Sequence, residues 1–340
     1  MTIPGLIIDG LGSIGLPLSL TEAQVLAARC DQAPFGRGDQ TVIDTSVRNT
    51  KQLDPSAFQI TNPKWSEYLN DVVTTVREDL GVQEELEVEA QLYKLLLYEP
   101  GSFFKPHRDS EKVDGMFGTL VIILPTFYSG GDLIVKHGTN MKCLSQTKDS
   151  AFNTQYAAFY ADCQHELKEI ELGHRICVVY NLVKVGGSCS RPSGKKKTTI
   201  LRKLRARATA WSKKPDMDKM VIMTDHLYTP AGMRSGGTAR FKGKDAAMVK
   251  LLEMVKASDI DLDWDHGIVS VTEEGYAYGD EDAYYACSDE AFEWAETLDS
   301  TMRLVLDRNG EIGISSSWPS EMIPENFFED KDPEEVFYTP

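Results

Sequence analysis

The stretch FKPHRDSEK, Phe104 to Lys112, sets an imidazole and a carboxylate two residues apart at the end of a strongly apolar run. On extended backbone, residues i and i+2 project from the same face, so His107 and Asp109 can reach one cation while Arg108 points away. The bland alternative is a solvated turn, since both residue types are common where strands stop. A metal site needs a third ligand, which must come from the five other histidines. His165 is the favoured candidate: it sits on a strand-like segment of QHELKEIELGHRICVVYNLV, followed by a glycine turn and a very apolar strand that starts at Arg175. His137 closes a strand without charged company and His174 adjoins Arg175 in a turn, so surface or capping roles suit them better. His226 and His266 lie in the tail, beyond the β-rich region.

Two histidines and one carboxylate on one face of a metal leave three positions open. This arrangement suits non-haem Fe(II) that must bind an oxidisable cosubstrate and dioxygen together. Zinc accepts the same ligands, but a hydrolytic zinc centre usually keeps a general base nearby, and the chain has no HExxH stretch. Arg175 tips the balance toward iron. A guanidinium in so apolar a setting is expensive to bury unless it meets an anion such as a dicarboxylic cosubstrate. The structural alternative for Arg175 is an ion pair with Glu166, Glu169 or Glu171.

The elements that must position these residues follow from the patterning. Residues 1–90 read as an N-terminal helical support region: SLTEAQVLAARCDQA offers Ser19 or Thr21 as a cap, and NPKWSEYLNDVVTTVREDLG ends on a glycine stop signal. Between them, FGRGDQTVIDTSVRNTKQLD is expected to be a loop with one short strand. Residues 91–187 change to short β-rich runs, AQLYKLLLY, FGTLVIILP, GGDLIVKH, YAAFYADC and RICVVYNLV, with glycine, proline and polar turns between them. That texture is the texture of a sandwich or barrel. Residues 188–219 are basic, with eleven Lys/Arg against two Asp from Arg191 to Lys219. A flexible linker and a solvated helix, with Ile200, Leu201, Leu204, Ala208 and Trp211 on one face, is favoured over a docking patch for an acidic partner. Residues 220–340 mix the strands KMVIMTD, GIVSVTEEGYAYG and MRLVLD with a helix near Lys244 to Lys256, an α+β region. The expected class is α+β dominated by β.

At 340 residues and 41% hydrophobic, the chain can build a large core and two structural units. Its six cysteines make no CxxC pair and no dense framework, which favours free thiols in a reducing, intracellular compartment, cytoplasmic or nuclear. The apolar start IPGLIIDGLGSIGLPLSL lacks a basic leading segment, carries Asp9 and is broken by glycines and prolines, unlike a signal peptide. No apolar run is long enough for a bilayer, so no membrane partner is expected. A net charge of −16 speaks against duplex nucleic acid, which needs a basic footprint. The final FFEDKDPEEVFYTP closes on no helix or strand, which raises the expectation of a longer natural chain.

Taken in order, YEPGSFFKPHRD, SGGDLIV and HELKEIELGHR resemble the Fe(II)- and 2-oxoglutarate-dependent oxygenases, in particular their prolyl 4-hydroxylase-like branch. The match runs from about Tyr93 to Val183. HxD alone is weak; the ordered set with its spacing is specific. The resemblance implies a double-stranded β-helix, or jelly-roll, with iron at its mouth. It assigns His107, Asp109 and His165 to the metal and Arg175 to the distal carboxylate of 2-oxoglutarate. Tyr98 matches a family tyrosine that hydrogen-bonds the cosubstrate, against the alternative of an ordinary core tyrosine. O2 would be consumed, with ascorbate as an auxiliary reductant. Collagen-type members carry lysine in place of Arg175 and threonine in place of Leu133, so their substrate does not carry over. Halogenating relatives lack the carboxylate that Asp109 supplies, so hydroxylation is the implied outcome.

Cys163 and Cys177 lie two positions from His165 and Arg175 and are expected to face the interior as small core residues. SDIDLDWDHG lacks the glycine and terminal glutamate of a calcium loop and reads as a solvated face. Arg48, Lys112 and Tyr128, in segments flanking the motif, are candidate substrate contacts. The expected activity is hydroxylation of an unactivated C–H bond in a protein or peptide side chain, with Thr41 to Asp54 and Glu111 to Phe117 walling an open groove. The alternatives are a small-molecule oxygenase acting on a free amino acid or secondary metabolite, and a non-catalytic binding module on the same fold.

Overall fold

The computed structural model describes residues 2–37, 40–82, 86–185, 240–256, 266–279, 292–306 and 317–318, together with 202, 203, 205, 206, 209, 222 and 224–229. Two compact units emerge, Met1–Arg191 with Phe241–Ala246, and Pro192–Arg240 with Ala247–Pro340. The first begins with β1 (Leu6–Ile8), β2 (Gly12–Ser13), α1 (Leu20–Arg29), β3 (Asp31–Gln32), β4 (Phe35–Arg37), β5 (Gln40–Val42), β6 (Arg48–Asn49), β7 (Lys51–Leu53), β8 (Phe58–Ile60) and α2 (Trp65–Asp79). It continues with β9 (Glu87–Tyr98), β10 (Phe103–His107), β11 (Met116–Ile123), β12 (Tyr128–Gly130) and β13 (Leu133–His137). It ends with β14 (Asn140–Leu144), β15 (Gln155–Tyr160), β16 (Gln164–Leu167), β17 (Ile170–Gly173) and β18 (Arg175–Val185).

α1 starts, and α2 stops, on local chemistry. Ser19 caps α1 by accepting from the Glu22 N–H, and the Glu22 carboxylate accepts from the Ser19 N–H in return. Ala23, Leu26 and Ala27 form its buried stripe. α2 ends where the Gly81 N–H donates to Glu78 and the Val82 N–H to Arg77, each at 3.0 Å, a closure that requires the positive φ of 68° at Gly81.

The N-terminal ninety residues are not the helical region expected from the sequence. Eight short strands surround α1 and precede α2, and the segment thought to hold one strand holds four, β4 to β7. The physical reason is edge pairing. β6 pairs with β10, and β7 with β9, so residues 48–53 satisfy their own backbone groups while covering an edge of each large sheet. The second half of the expected groove wall from Thr41 to Asp54 is therefore built into the sheets.

One large sheet has six strands in the order β15-β11-β18-β9-β7-β3, the other five in the order β14-β13-β16-β10-β6, and their pairings are antiparallel. Along the chain, β9, β11, β15 and β18 go to the first while β10, β13 and β16 alternate into the second. Directly opposed residues of antiparallel strands share a face. On the six-stranded sheet, Tyr98 with Arg175, Leu96 with Cys177, Lys94 with Val179, and Thr119 with Asn181 therefore mark one face. Leu97 with Ile176, Leu95 with Val178, and Leu120 with Tyr180 mark the other. The second face is largely apolar and meets the helices: Leu95, Leu97, Leu120, Ile122, Ile176 and Val178 are fully buried, the Trp65 indole of α2 donates to the Tyr180 hydroxyl at 2.8 Å, and Lys51, opposite Leu97, donates to the Ala27 carbonyl of α1 at 3.0 Å. The first face turns toward the five-stranded sheet, where the Phe159 ring lies 4.4 Å from that of His165.

Further along the chain come α3 (Gly243–Lys256) and the strands β19 (Ile268–Gly279), β20 (Phe292–Leu306) and β21 (Ser317–Trp318), which pair in the order β19-β20-β21. The expected strand KMVIMTD, the basic stretch 188–219 and the acidic SDIDLDWDHG fall largely outside the described residues. Among the described residues no helix is long and apolar enough to cross a membrane.

Candidate metal centre

His107 ends β10, His165 sits in β16, and the antiparallel register sets them directly opposite each other with ring centroids 4.2 Å apart. Asp109, two residues past β10, is pinned at both ends. Its N–H donates to the Ala161 carbonyl at 3.0 Å, and its Oδ2 accepts from the Thr119 hydroxyl at 2.5 Å. That same oxygen stands 3.9 Å from His165 Nε2, and the donor atoms of the three residues all lie within 4.8 Å of one another.

The imidazoles are oriented as ligands. His107 Nδ1 faces the Lys105 carbonyl at 2.8 Å and His165 Nδ1 faces the Cys163 carbonyl at 3.1 Å. A ring nitrogen against a carbonyl oxygen must carry the proton, which leaves each Nε2 lone pair free for a metal. Phe104 stacks on His107 at 3.4 Å and holds its plane. Burial, reinforced by the nearby His165, pushes the His107 imidazole down to about 3, so it stays in the neutral, ligating form at any ordinary pH.

Arg175 heads β18 and is 2% exposed. The turn before it needs Gly173, whose φ is 75° and where a Cβ would run into the Phe127 carbonyl. Tyr98 lies opposite Arg175, with the guanidinium 5.4 Å from its ring centroid. The Tyr128 hydroxyl hydrogen-bonds Arg175 and donates to the Gln146 carbonyl at 2.9 Å. Burial pushes both tyrosine hydroxyls up, so both stay protonated and neutral beside the guanidinium. The expected alternative, an ion pair with a neighbouring glutamate, is not formed. Glu166 pairs with Lys168 at 2.9 Å, and among the described residues no carboxylate oxygen lies within 4.0 Å of the Arg175 guanidinium. Its Nε is buried without any partner.

The other candidates divide. Tyr98 sits beside Arg175, as noted, and Tyr128 is a buried support for Arg175, not a free surface contact. Arg48, expected on an exposed flank, is 7% exposed: β6 sets it opposite Phe104, its guanidinium lies 4.5 Å over that ring, and its Nη1 donates to the Pro34 carbonyl at 2.6 Å. Lys112 is exposed and bonds Ser110 at 2.6 Å. Cys163 and Cys177 are buried free thiols, and Cys177 shares the inner face with Arg175. Two residues escaped the sequence reading. Thr119 gave no signal, because a threonine in a strand is ordinary. Lys94 did give one, as the lone charge inside the apolar run AQLYKLLLY. It is 7% exposed, and its Nζ donates to Gln52 Oε1 at 2.8 Å.

No protein-family model matches the chain, and no curated protein matches it. Solved structures do. A prolyl-4-hydroxylase of Pseudomonas putida aligns at 16% identity and a TM-score of 0.32, covering 50% of this chain and 89% of that one. A 2OG-Fe(II) oxygenase family protein of Burkholderia pseudomallei aligns at 18% and 0.32, covering 51% and 82%. A prolyl hydroxylase of Trichoplax adhaerens, solved with a hypoxia inducible factor peptide fragment, aligns at 16% and 0.35, covering 53% and 84%. At scores and identities this low, the likeness carries no argument about this chain.

Proposed function

We propose that the protein is an Fe(II)- and 2-oxoglutarate-dependent oxygenase that hydroxylates an unactivated C–H bond, in a protein or peptide side chain. The observation that carries this reading is the opposed pair His107 and His165, joined by Asp109 and lying on the same inner side as a buried Arg175 with no carboxylate partner among the described residues. Two imidazoles with free Nε2 atoms and one carboxylate fit Fe(II), with positions left open. Zinc fits the same donors, and it is the unpaired guanidinium that argues for a dicarboxylic cosubstrate. The alternation of successive strands between two sheets supports a double-stranded β-helix. The polypeptide preference rests on the sequence resemblance.

Bound to these three residues, Fe(II) would activate O2, the oxidant, and so couple decarboxylation of 2-oxoglutarate to succinate and CO2 with hydroxylation of the substrate. The chain's own residues bind, orient and exclude water. Arg175 takes the distal carboxylate of 2-oxoglutarate in a bidentate fork, and Tyr128 and Tyr98 fix that fork. Thr119 holds the Asp109 oxygen that faces His165, while Phe104 and Phe159 pack the imidazoles into a dry wall.

Anaerobic titration with Fe(II) and then 2-oxoglutarate, followed by succinate formation with peptide pools and with free amino acids, tests the proposal. The expected result is 2-oxoglutarate binding that depends on the metal and disappears in His165→Ala. Arg175→Lys, which keeps the charge and loses the fork, should raise the 2-oxoglutarate requirement and leave iron affinity alone. Metal binding unchanged in His165→Ala would overturn the site; turnover of a free small molecule with none on any peptide would overturn only the polypeptide preference.

A further inference from the structure

A buried lysine in a strand that lines the same interior as the metal ligands requires an explanation. Lys94 shares the inner face with Val179 and, one strand pair on, with Asn181 and Thr119, whose hydroxyl holds Asp109. Its ammonium has two neighbours within contact range, the neutral Gln52 Oε1 at 2.8 Å and the Tyr93 ring at 4.2 Å. No carboxylate oxygen among the described residues comes within 4.0 Å of it. The charges whose fields reach it are Arg48 and, more weakly, Lys112 on one side and Asp54 and Asp109 on the other. Burial first, then Arg48, pushes it down to about 8, so it remains largely protonated at neutral pH.

Arg48 likewise has no carboxylate oxygen within 4.0 Å among the described residues, its Nη1 donating to the Pro34 carbonyl at 2.6 Å. It is equally buried, lies over Phe104 and carries an Nε with no partner. Residues 48–53 bridge the two sheets, with β6 on the five-stranded sheet and β7 on the six-stranded one, so Arg48 and the Lys94–Gln52 pair belong to one side of the interior. Asn181 Oδ1, also buried and without a partner, adds an unused acceptor to that face. Buried ammonium and guanidinium groups are normally matched by carboxylates, and leaving both unmatched is costly unless an anion arrives. Arg175 accounts for the cosubstrate, and these two cations are left over.

We propose that Lys94, together with Arg48 on the same side of the interior, forms a second anion site that holds a carboxylate of the substrate. The inference rests on the oxygenase reading for the word substrate; the anion site itself stands on geometry. The carboxylate can come from a free acid or from an acidic side chain of a polypeptide, and the two arms of the test separate these sources.

The test uses the full chain, anaerobic and saturated with Fe(II) and 2-oxoglutarate, in calorimetric titrations. One arm compares N-acetyl-leucine with N-acetyl-leucinamide, and the other an end-blocked peptide containing aspartate with its asparagine counterpart. In at least one arm the acid should bind roughly tenfold or more tightly than the amide, the scale of one charge-assisted contact. Lys94→Met should erase that difference, Lys94→Arg should keep it, and Fe(II) and 2-oxoglutarate dissociation constants should not move in either variant. Thermal melting verifies that both variants fold. Acid and amide indistinguishable in both arms, a preference that survives Lys94→Met, or a matching loss of 2-oxoglutarate affinity would each overturn the proposal. Should the wild type bind neither Fe(II) nor 2-oxoglutarate, the oxygenase reading fails, and the same acid–amide comparison on the unloaded chain still decides the anion site.

Discussion

Along β9, β11 and β18, alternate residues belong to different worlds. Leu95, Leu97, Leu120, Ile122, Ile176 and Val178 point to the helix-covered face and are fully buried among apolar neighbours. Their neighbours Lys94, Tyr98, Thr119, Arg175 and Asn181 point inward and are nearly as buried, yet two of them carry charge and two carry polar atoms without partners. The outer face holds the sheet to α2 by apolar burial and the single Trp65–Tyr180 hydrogen bond. The inner face costs stability: among the described residues its buried cations have no carboxylate within 4.0 Å and its Asn181 amide is half-satisfied, a cost that a bound anion would offset. Stability and chemistry are thus divided between the two sides of one set of strands.

The largest losses are expected at the metal ligands. Replacing His107, Asp109 or His165 with alanine should remove Fe(II) binding and turnover, a loss beyond the roughly 10–100-fold that removing a supporting partner brings, with little change in melting temperature. Calorimetric Fe(II) titration beside thermal melting checks both halves. On the outer face the outcome should invert. Leu97→Ala leaves a cavity where no solvent reaches and should destabilise by about 2–5 kcal/mol in denaturant titration, while the folded fraction binds Fe(II) as before.

The buried lysine sharpens the contrast through pH. Lys94 falls from 10.5 to about 8 on folding, so between those values the unfolded chain binds a proton that the folded chain has released. Stability contributed by this group therefore rises with pH across that window, by up to ~3 kcal/mol. Lys94→Met removes the dependence, so the stability advantage of the variant over wild type should be greatest below pH 8 and shrink toward pH 10.5. A constant difference across the window would show that Lys94 is not buried in solution. The smallest effect is expected at Thr119→Val, which keeps the shape and removes the hydroxyl that holds Asp109. Fe(II) affinity should fall about 10–100-fold with melting almost unchanged.

Much of this architecture could be read from local pattern. The capping box at Ser19 and the glycine closure at Gly81 act within a few residues, and the apolar runs of β9, β11 and β18 are continuous because these strands are covered on both sides. The N-terminal strands were hidden, because β6 and β7 are two and three residues long and exist only as additions to sheet edges made elsewhere in the chain. A short segment with no period of its own takes the structure its neighbours offer.

The groups that could do chemistry are legible in the chain: a histidine and an aspartate at strand spacing, a later histidine, and an arginine heading an apolar strand. These are statements about residue type and short separation, and they hold before folding. The fold decided what stands opposite what. The register of β10 against β16 sets His165 across from His107, that of β18 against β9 sets Arg175 across from Tyr98, and the approach of the two sheets brings Thr119 to Asp109. It also decided what is missing, since a lysine in a strand becomes a question only when its neighbours are known and none of those in contact is an acid. Pairing energies between strands are small and depend on every other strand in the sheet, so register, and with it the site, is a property of the folded whole.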